Sequence, residues 1–256
     1  MIHVPTAPWA HTVFDLAAWG GGLAFSVVLY RWRLKALAEG VARKVDGGYF
    51  AALVIGALPG AWLLGSLNSL RGETPALSHS VAGALVGAIA GVEIYKRLRG
   101  VTGSTGGVFV GPFSLGVVIG RLGCLFAGVP DGTYGKPTAL PWAVDLGDGI
   151  GRYPVQLCES LSMALFLAIY VVGLRRRSPW ALRRGFYAMC IAYGVQRFAW
   201  EFLKPYPPIL GPLNIFHLLC GGLAIYGWIY CRADLRRERG PQGRALSVPG
   251  PDHQPV

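Results

Sequence analysis

Apolar residues run through the chain in long stretches separated by short polar segments. Each stretch is about 20 residues long, which is the length that a helix needs to cross the hydrocarbon core of a membrane. The pattern predicts seven transmembrane helices. They cover residues 12–31, 47–67, 78–97, 108–128, 154–174, 185–203 and 214–231. We therefore expect an all-α polytopic membrane protein, with one seven-helix membrane domain over residues 1–239.

The composition agrees with this fold class. Of the 256 residues, 53% are hydrophobic and only 14% are charged, a balance that is unusual for a water-soluble domain. The 37 glycines favour helices that pack closely through small faces. Residues 240–256 are rich in proline, glycine and glutamine, and this composition predicts a disordered tail.

The net charge of +11 would suit a nucleic-acid-binding protein, but the positions of the basic residues argue against one. Basic clusters follow the first, third, fifth and seventh predicted helices, whereas the alternate loops carry few basic residues. Because basic loops remain in the cytoplasm, the pattern predicts an N-terminus outside and a C-terminus in the cytoplasm. Topology explains the charge, so we expect no nucleic-acid partner.

The longest polar loop, residues 129–153, lies between the fourth and fifth predicted helices. It is rich in proline and glycine and also contains Asp145 and Asp148. The loop follows the fourth predicted helix, and an even number of helices returns the chain to the side of the N-terminus, which is predicted to lie outside the cytoplasm. The composition predicts a folded cap on the periplasmic side of the membrane rather than a plain linker.

Two arginines, Arg121 and Arg197, lie inside predicted membrane helices, and Glu201 follows Arg197 by one helical turn. A guanidinium in hydrocarbon costs at least ~2.5–3.5 kcal/mol, so such residues normally face a polar cavity and pair there. Arginine also grips phosphate through two parallel hydrogen bonds. A lipid phosphate site is therefore one interpretation. A structural ion pair, in which Arg121 meets Glu93, Asp131 or Glu159, is the other.

Further residues have the chemistry of a site but carry weaker signals. Gln156 and Glu159 share one helical face, and His79 has the side chain of a general base or of an ordinary interface residue. His11 is expected in an exposed terminus. The five cysteines have no CxxC spacing, so we expect packing residues, with neither a disulfide framework nor a metal site.

Three segments, taken in order, resemble the prolipoprotein diacylglyceryl transferase family. They are Gly-Arg-Leu-Gly at 120–123, Tyr-Pro-Val-Gln-Leu-Cys-Glu at 153–159 and Arg-Phe-Ala-Trp-Glu-Phe-Leu-Lys-Pro at 197–205. The resemblance implies an enzyme of the bacterial inner membrane that needs no cofactor. Such an enzyme moves the diacylglyceryl group of phosphatidylglycerol to the lipobox cysteine thiol of a preprolipoprotein signal peptide, and it releases glycerol 1-phosphate.

The resemblance also implies roles for individual residues. Arg121 and Arg197 would hold the lipid phosphate, and Glu201 would orient Arg197. The remaining positions of the predicted site are His79 and Asp131 as catalytic candidates and Gly120, Gly123, Cys124, Gln156, Glu159 and Lys204 as substrate-binding residues. The general base stays open among His79, Asp131 and Glu159.

Some positions depart from the family pattern. Cys124 stands where the family usually has asparagine, and Tyr153 stands where it has histidine. Asp131 matches the family's acidic residue only after a small insertion. These departures leave open two alternatives, a paralogue with a different acceptor and a non-catalytic phospholipid-binding or scramblase-like protein.

Overall fold

The protein is described by a computed structural model over residues 1–69 and 77–239, and this part of the chain is mostly helical. The predicted tail, residues 240–256, lies outside the described residues. The α-helices are α1 (Ala10–Leu29), α2 (Lys35–Ala42), α3 (Gly47–Ser69), α4 (Val81–Arg99), α5 (Val110–Ala127), α6 (Val155–Arg175), α7 (Pro179–Arg183), α8 (Gly185–Glu201) and α9 (Ile215–Arg239).

Each of the seven predicted stretches forms a helix, but the ends differ for local reasons. The first helix continues through a π-helical segment, Tyr30–Leu34, into α2, so it is longer than predicted. Helix α4 begins three residues later than predicted, because Ser80 is extended and its side chain caps the N–H of Gly83 at 3.2 Å. It ends at Gly100, whose φ of +66° suits glycine.

Five of these helices are long and apolar enough to cross a membrane. They cover Ala10–Ala42, Gly47–Leu67, Gly107–Ala127, Val155–Arg175 and Ile215–Arg236. Helix α4 carries four charged residues near its end, and α8 has only 17 residues. The membrane character of the fold is thus supported, while the seven-span topology and its orientation stay predictions.

The helices pack mainly as antiparallel pairs, α1 with α5, α3 with α4, and α8 with α9, while α6 joins α5 to α8. Glycines bring α3 and α4 into backbone contact. A Cβ atom built on Gly56 would lie 2.1 Å from the carbonyl oxygen of Gly87, so a larger residue cannot fit there. This close approach stabilises helix pairs in lipid, where no hydrophobic effect drives them together.

A small cap covers one end of the bundle, which we name the cap end. Strand β2 (Val144–Asp145) pairs antiparallel with β3 (Gly151–Arg152), and β1 (Ile2–His3) adds to β2 in parallel. The N–H of Ala7 also donates to the carbonyl of Phe126 at 2.8 Å. Residues 1–7 are therefore attached to the loop 129–153, a contact that the hydrophobic pattern does not predict.

The cap is organised around Asp145. Its Oδ1 accepts hydrogen bonds from the backbone N–H groups of Gly147, Asp148 and Gly149 at 2.9–3.1 Å. Burial acts to raise the pKa of this carboxyl, but those hydrogen bonds and the nearby His3 outweigh it and hold the pKa below its usual value. The loop therefore holds an ionised Asp145 at neutral pH.

Candidate functional site

Glu159 is the centre of a charged cluster buried at the cap end. Its side chain lies in the first turns of α6 and is 1% exposed. Arg121 from α5 places Nε 2.6 Å from Glu159 Oε2, and Lys204 places Nζ 2.7 Å from Oε1. Arg197 from α8 also donates to Oε1. Of the alternatives that the sequence leaves open for Arg121, the structure therefore selects Glu159.

Glu201 forms the second carboxylate of this cluster. Its Oε2 lies 3.3 Å from Arg197 Nη2, so the pair predicted from the one-turn spacing is present. Asn214 donates from Nδ2 to Glu201 Oε1 at 3.2 Å, and Asn214 is itself bonded to His217. His217 holds Asn214 in place, since the two residues exchange hydrogen bonds between the backbone N–H of each and the side chain of the other. We call Arg121, Glu159, Arg197, Glu201 and Lys204 the Glu159 cluster.

The charges of the Glu159 cluster do not balance. Three cations face two carboxylates, which leaves one positive charge among groups that are almost fully buried. Buried charges are costly unless they are paired. An anion that carries one negative charge would complete the balance, and a lipid phosphodiester is such an anion.

Two polar side chains at the cluster lack a hydrogen-bond partner in the described part of the chain. Gln156 lies one turn before Glu159 and is fully buried, and neither atom of its amide is bonded. The hydroxyl of the buried Tyr193 is also unpartnered. Buried polar groups are normally satisfied, so these atoms mark a place for a polar ligand.

The arginines also retain hydrogen-bonding capacity. A guanidinium has five N–H donors. Arg121 uses Nε for Glu159, and its Nη1 lies 3.8 Å from Cys124 Sγ. Arg197 Nε is buried without a partner. The carboxylates therefore position both arginines while leaving donors for a further anion.

The remaining predicted site residues are not all in this cluster. His79 is exposed, two residues before α4, and packs against Trp62, and none of its described contacts is with the Glu159 cluster. Gly123 lies against α1, since a Cβ atom there would stand 2.6 Å from Phe14 Cβ. Gly120 has open space beside it, as expected for a residue that leaves room near Arg121.

Cys124 and Asp131 lie together in a second group that the sequence analysis does not predict. His11 Nδ1 is 2.7 Å from Asp131 Oδ1, and the Sγ of Cys124 is close to both. The expectation of an exposed His11 is wrong, because its side chain is only 32% exposed. The sequence does not indicate this group, because its members meet only when the first turn of α1 packs beside the last turn of α5.

A large apolar cavity lies among α3, α4 and α5, and its lining residue Phe113 packs against Tyr193. It has a volume of about 580 Å³ and is lined mainly by apolar side chains of α3, α4 and α5, including Leu85, Ile89 and Phe113. At its far end are Glu93 and Lys96. Cavities of this size are common ligand sites, and the lining here suits hydrocarbon.

Comparisons with known proteins bear on this geometry. The chain is 31% identical over 166 residues to the phosphatidylglycerol--prolipoprotein diacylglyceryl transferase of Methylococcus capsulatus, which covers 60% of this chain and 61% of that protein. It is 33% identical over 186 residues to the protein of the same name from Solidesulfovibrio magneticus, covering 70% and 67%.

The chain thus spans about three fifths to two thirds of the length of these curated relatives. No solved structure matches it. The profile of the prolipoprotein diacylglyceryl transferase family matches residues 16–232, which include the whole Glu159 cluster. The resemblance seen in the three sequence motifs is confirmed, and the chain belongs to the prolipoprotein diacylglyceryl transferase family.

Proposed function

We propose that this protein transfers the diacylglyceryl group of phosphatidylglycerol to the lipobox cysteine thiol of prolipoproteins and releases glycerol 1-phosphate. The names of its relatives support the donor and the acceptor. The observation that carries the proposal is the convergence of Arg121 and Arg197 on one buried carboxylate, with one positive charge in excess. The protein acts in the bacterial inner membrane, with seven spans and the cap outside.

The excess charge explains the choice of an anionic lipid donor. The phosphodiester of phosphatidylglycerol carries one negative charge, which balances the Glu159 cluster. Gln156 and Tyr193 offer hydrogen bonds to the glycerol headgroup, because their polar atoms are buried and unpartnered. The two acyl chains occupy the apolar cavity beside α3, α4 and α5.

The reaction needs a stabilised leaving group and an ionised acceptor. The acceptor sulfur attacks the glyceryl carbon, the carbon–oxygen bond to phosphate breaks, and the oxygen leaves with the electron pair. Arg121 and Arg197 hold the charge that grows on the departing phosphate, and they do so without reorganisation because Glu159 and Glu201 already fix them.

We rank the three candidate bases by their surroundings. Glu159 is bonded to three cations, which makes it a poor proton acceptor. His79 is exposed beside Trp62. Asp131, just after α5, lies close to Cys124, which itself contacts Arg121. The acceptor thiol is therefore best ionised on the Asp131 side of the site.

A reconstituted transfer assay tests the proposal. Vesicles containing phosphatidylglycerol labelled in its diacylglyceryl part and a lipobox peptide are mixed with wild type, Arg121→Ala, Arg197→Ala or the exposed control Arg176→Ala. We expect label on the peptide cysteine, a loss of at least ~100-fold in the first two variants, and no change in the control.

Two results would contradict the proposal. Binding of phosphatidylglycerol without transfer would favour a different acceptor or a non-catalytic lipid-binding protein. Equal transfer by Arg197→Ala and wild type would remove the buried arginines from the mechanism.

A further inference from the structure

A second group of side chains converges beside the Glu159 cluster. His11 belongs to the first turn of α1, Cys124 to the last turn of α5, and Asp131 to the turn that follows α5. One ligand atom from each lies within 4.8 Å of the others. We propose that His11, Cys124 and Asp131 bind a zinc ion, and that its open position takes the thiol of the acceptor.

The set of donor atoms fits zinc. Histidine nitrogen, cysteine sulfur and aspartate oxygen are its usual ligands, and catalytic zinc sites keep three protein ligands and one open position. With bonds of 2.0–2.3 Å, the ligands of a tetrahedral zinc stand roughly 3.3–3.7 Å apart. His11 Nδ1 and Asp131 Oδ1 are 2.7 Å apart, so only a small separation of these side chains is required.

The surroundings of the three residues resemble the outer shell of a metal site. Ligating histidines commonly donate their second ring N–H to a carboxylate. His11 does have such a partner, since its Nε2 lies 3.1 Å from Asp15 Oδ2. The second oxygen of Asp131 accepts a hydrogen bond from Thr133. The imidazole of His11 and the carboxylate of Asp131 are thus both oriented by contacts outside the proposed metal site.

Charge and access also suit a divalent cation. A cysteine thiolate and an aspartate together neutralise Zn²⁺. Arg121 Nη1, 3.8 Å from Cys124 Sγ, is placed to donate to that thiolate. Asp131 is nearly buried, whereas the His11 side chain is 32% exposed, which leaves a route for the ion from the cap end.

Arg121 connects the two groups, because it contacts both Glu159 and Cys124. A thiol bound at the open position would therefore stand next to the phosphate-binding donors. A thiol that coordinates a divalent metal is deprotonated. The departure of Cys124 from the family's asparagine then has a chemical meaning, because it supplies a ligand that an amide does not.

The role in transfer rests on the proposed function. The acceptor S–H loses its proton to water at the cap end as the sulfur binds zinc. The sulfur then forms a bond to the glyceryl carbon while the carbon–oxygen bond breaks, and glycerol 1-phosphate leaves with the electron pair. The zinc keeps its oxidation state throughout.

The metal site itself is tested without any activity measurement. The full chain is purified in detergent, supplied with zinc, dialysed and analysed for metal. We expect about one zinc per chain in wild type and in Cys231→Ser, a cysteine outside the group. His11→Ala, Cys124→Ser and Asp131→Asn should retain less than a tenth of that amount. Equal zinc in wild type and Cys124→Ser would overturn the site.

Cobalt substitution shows whether the sulfur is a ligand. The Co²⁺ protein should have a thiolate-to-metal charge-transfer band that Cys124→Ser lacks and Cys231→Ser keeps. Asp15→Asn should keep the band but weaken metal affinity by about 10- to 100-fold, as expected for a partner behind the ligand. A cobalt spectrum that is unchanged in Cys124→Ser would contradict the assignment.

The role in transfer is tested by removing and restoring the metal. Chelated protein should transfer label at least ~100-fold more slowly and should recover with zinc. Chelated protein that transfers at the full rate would overturn the thiol role and leave the proposed function standing. A protein that holds one zinc yet transfers no label would contradict the proposed function and leave the metal site standing.

Discussion

Two groups of buried charges lie at opposite ends of the same bundle, and they differ in balance. At the far end from the cap, Lys96 Nζ lies 2.8 Å from Glu93 Oε1, and the Tyr226 hydroxyl donates to the same oxygen at 2.9 Å. This Glu93 group is neutral, and its cation and hydroxyl are both bonded to the carboxylate. The Glu159 cluster has one positive charge in excess and unpartnered neighbours.

The comparison distinguishes buried charges that serve the structure from buried charges that serve a ligand site. A neutral, satisfied pair needs nothing else, so the Glu93 group is explained by packing alone. An unbalanced cluster costs free energy unless something completes it. Burial and sequence spacing are similar in the two places, so excess charge and unpartnered donors are the useful marks of a ligand site.

Removing the central carboxylates gives the largest expected contrast. Glu159→Gln leaves three cations with one carboxylate, and we expect unfolding free energy to fall by about 3–5 kcal/mol. Glu93→Gln should cost less, about 1–2 kcal/mol, because Lys96 lies beside a cavity of about 350 Å³ and is able to gain hydration there. Denaturant unfolding in detergent measures both. Equal losses of unfolding free energy in the two variants would show that excess charge does not distinguish the two groups.

Removing the lysines tests the charge excess directly. Lys204→Met leaves two cations and two carboxylates, so the fold should persist while phosphatidylglycerol affinity falls by about 10- to 100-fold. Lys96→Met should lower stability, since it isolates Glu93, and should change lipid affinity far less than Lys204→Met, because Lys96 lies at the far end of the apolar cavity, away from the phosphate. Titration with a fluorescent phosphatidylglycerol in detergent distinguishes them. Unchanged affinity in Lys204→Met would show that the excess charge does not bind lipid.

The tyrosines provide a gentler form of the same contrast. Tyr193→Phe removes an unpartnered hydroxyl, so stability should change by less than about 0.5 kcal/mol while transfer falls about 10-fold. Tyr226→Phe removes a hydrogen bond to a carboxylate and should cost about 1.5–3 kcal/mol, with a much smaller effect on transfer than Tyr193→Phe. Melting curves and transfer rates are measured on the same preparations. The opposite assignment of effects would contradict the site.

The smallest expected effect is the pH dependence of the cap, whose carboxylates belong to neither of the two buried groups. Arg152 holds the pKa of Asp148 below its usual value through a bidentate contact, and backbone N–H groups do the same for Asp145. Both contributions are present above about pH 4 and are lost as the pH falls through the lowered values.

Hydrogen exchange at residues 147–149 checks this expectation. Protection factors should fall at acid pH, and Asp148→Asn should show a smaller dependence on pH than wild type. Protection that is independent of pH would mean that the carboxylates do not organise the cap.

The helices were largely predictable because each depends on a local run of apolar residues. The inward face of Gln156 and Glu159 and the Arg197–Glu201 pair also follow from helical spacing, and the structure contains both. The partner of Arg121 was not predictable, because the sequence alone allowed Glu93, Asp131 or Glu159 to pair with it. Only the packing of α5 against α6 selects Glu159.

The contacts of the N-terminal segment were beyond prediction for a different reason. Two-residue strands carry no measurable periodicity, so nothing in Ile2–His3 indicates a partner at Val144–Asp145. His11 likewise gains its neighbours only when the start of α1 meets the end of α5. Both cases depend on register between distant segments, which single-residue patterns do not encode.

The parallel pairing of β1 with β2 has a consequence for biosynthesis. Thr6 donates to the carbonyl of Leu146, a residue 140 positions later. At a synthesis rate of 5–20 residues per second, roughly 7–28 s pass between the two. During that interval β1 has no strand to pair with, and for most of it His11 has no Asp131 to contact. The cap is therefore assembled only after its second segment is made, from two stretches of chain that are synthesised about 140 residues apart.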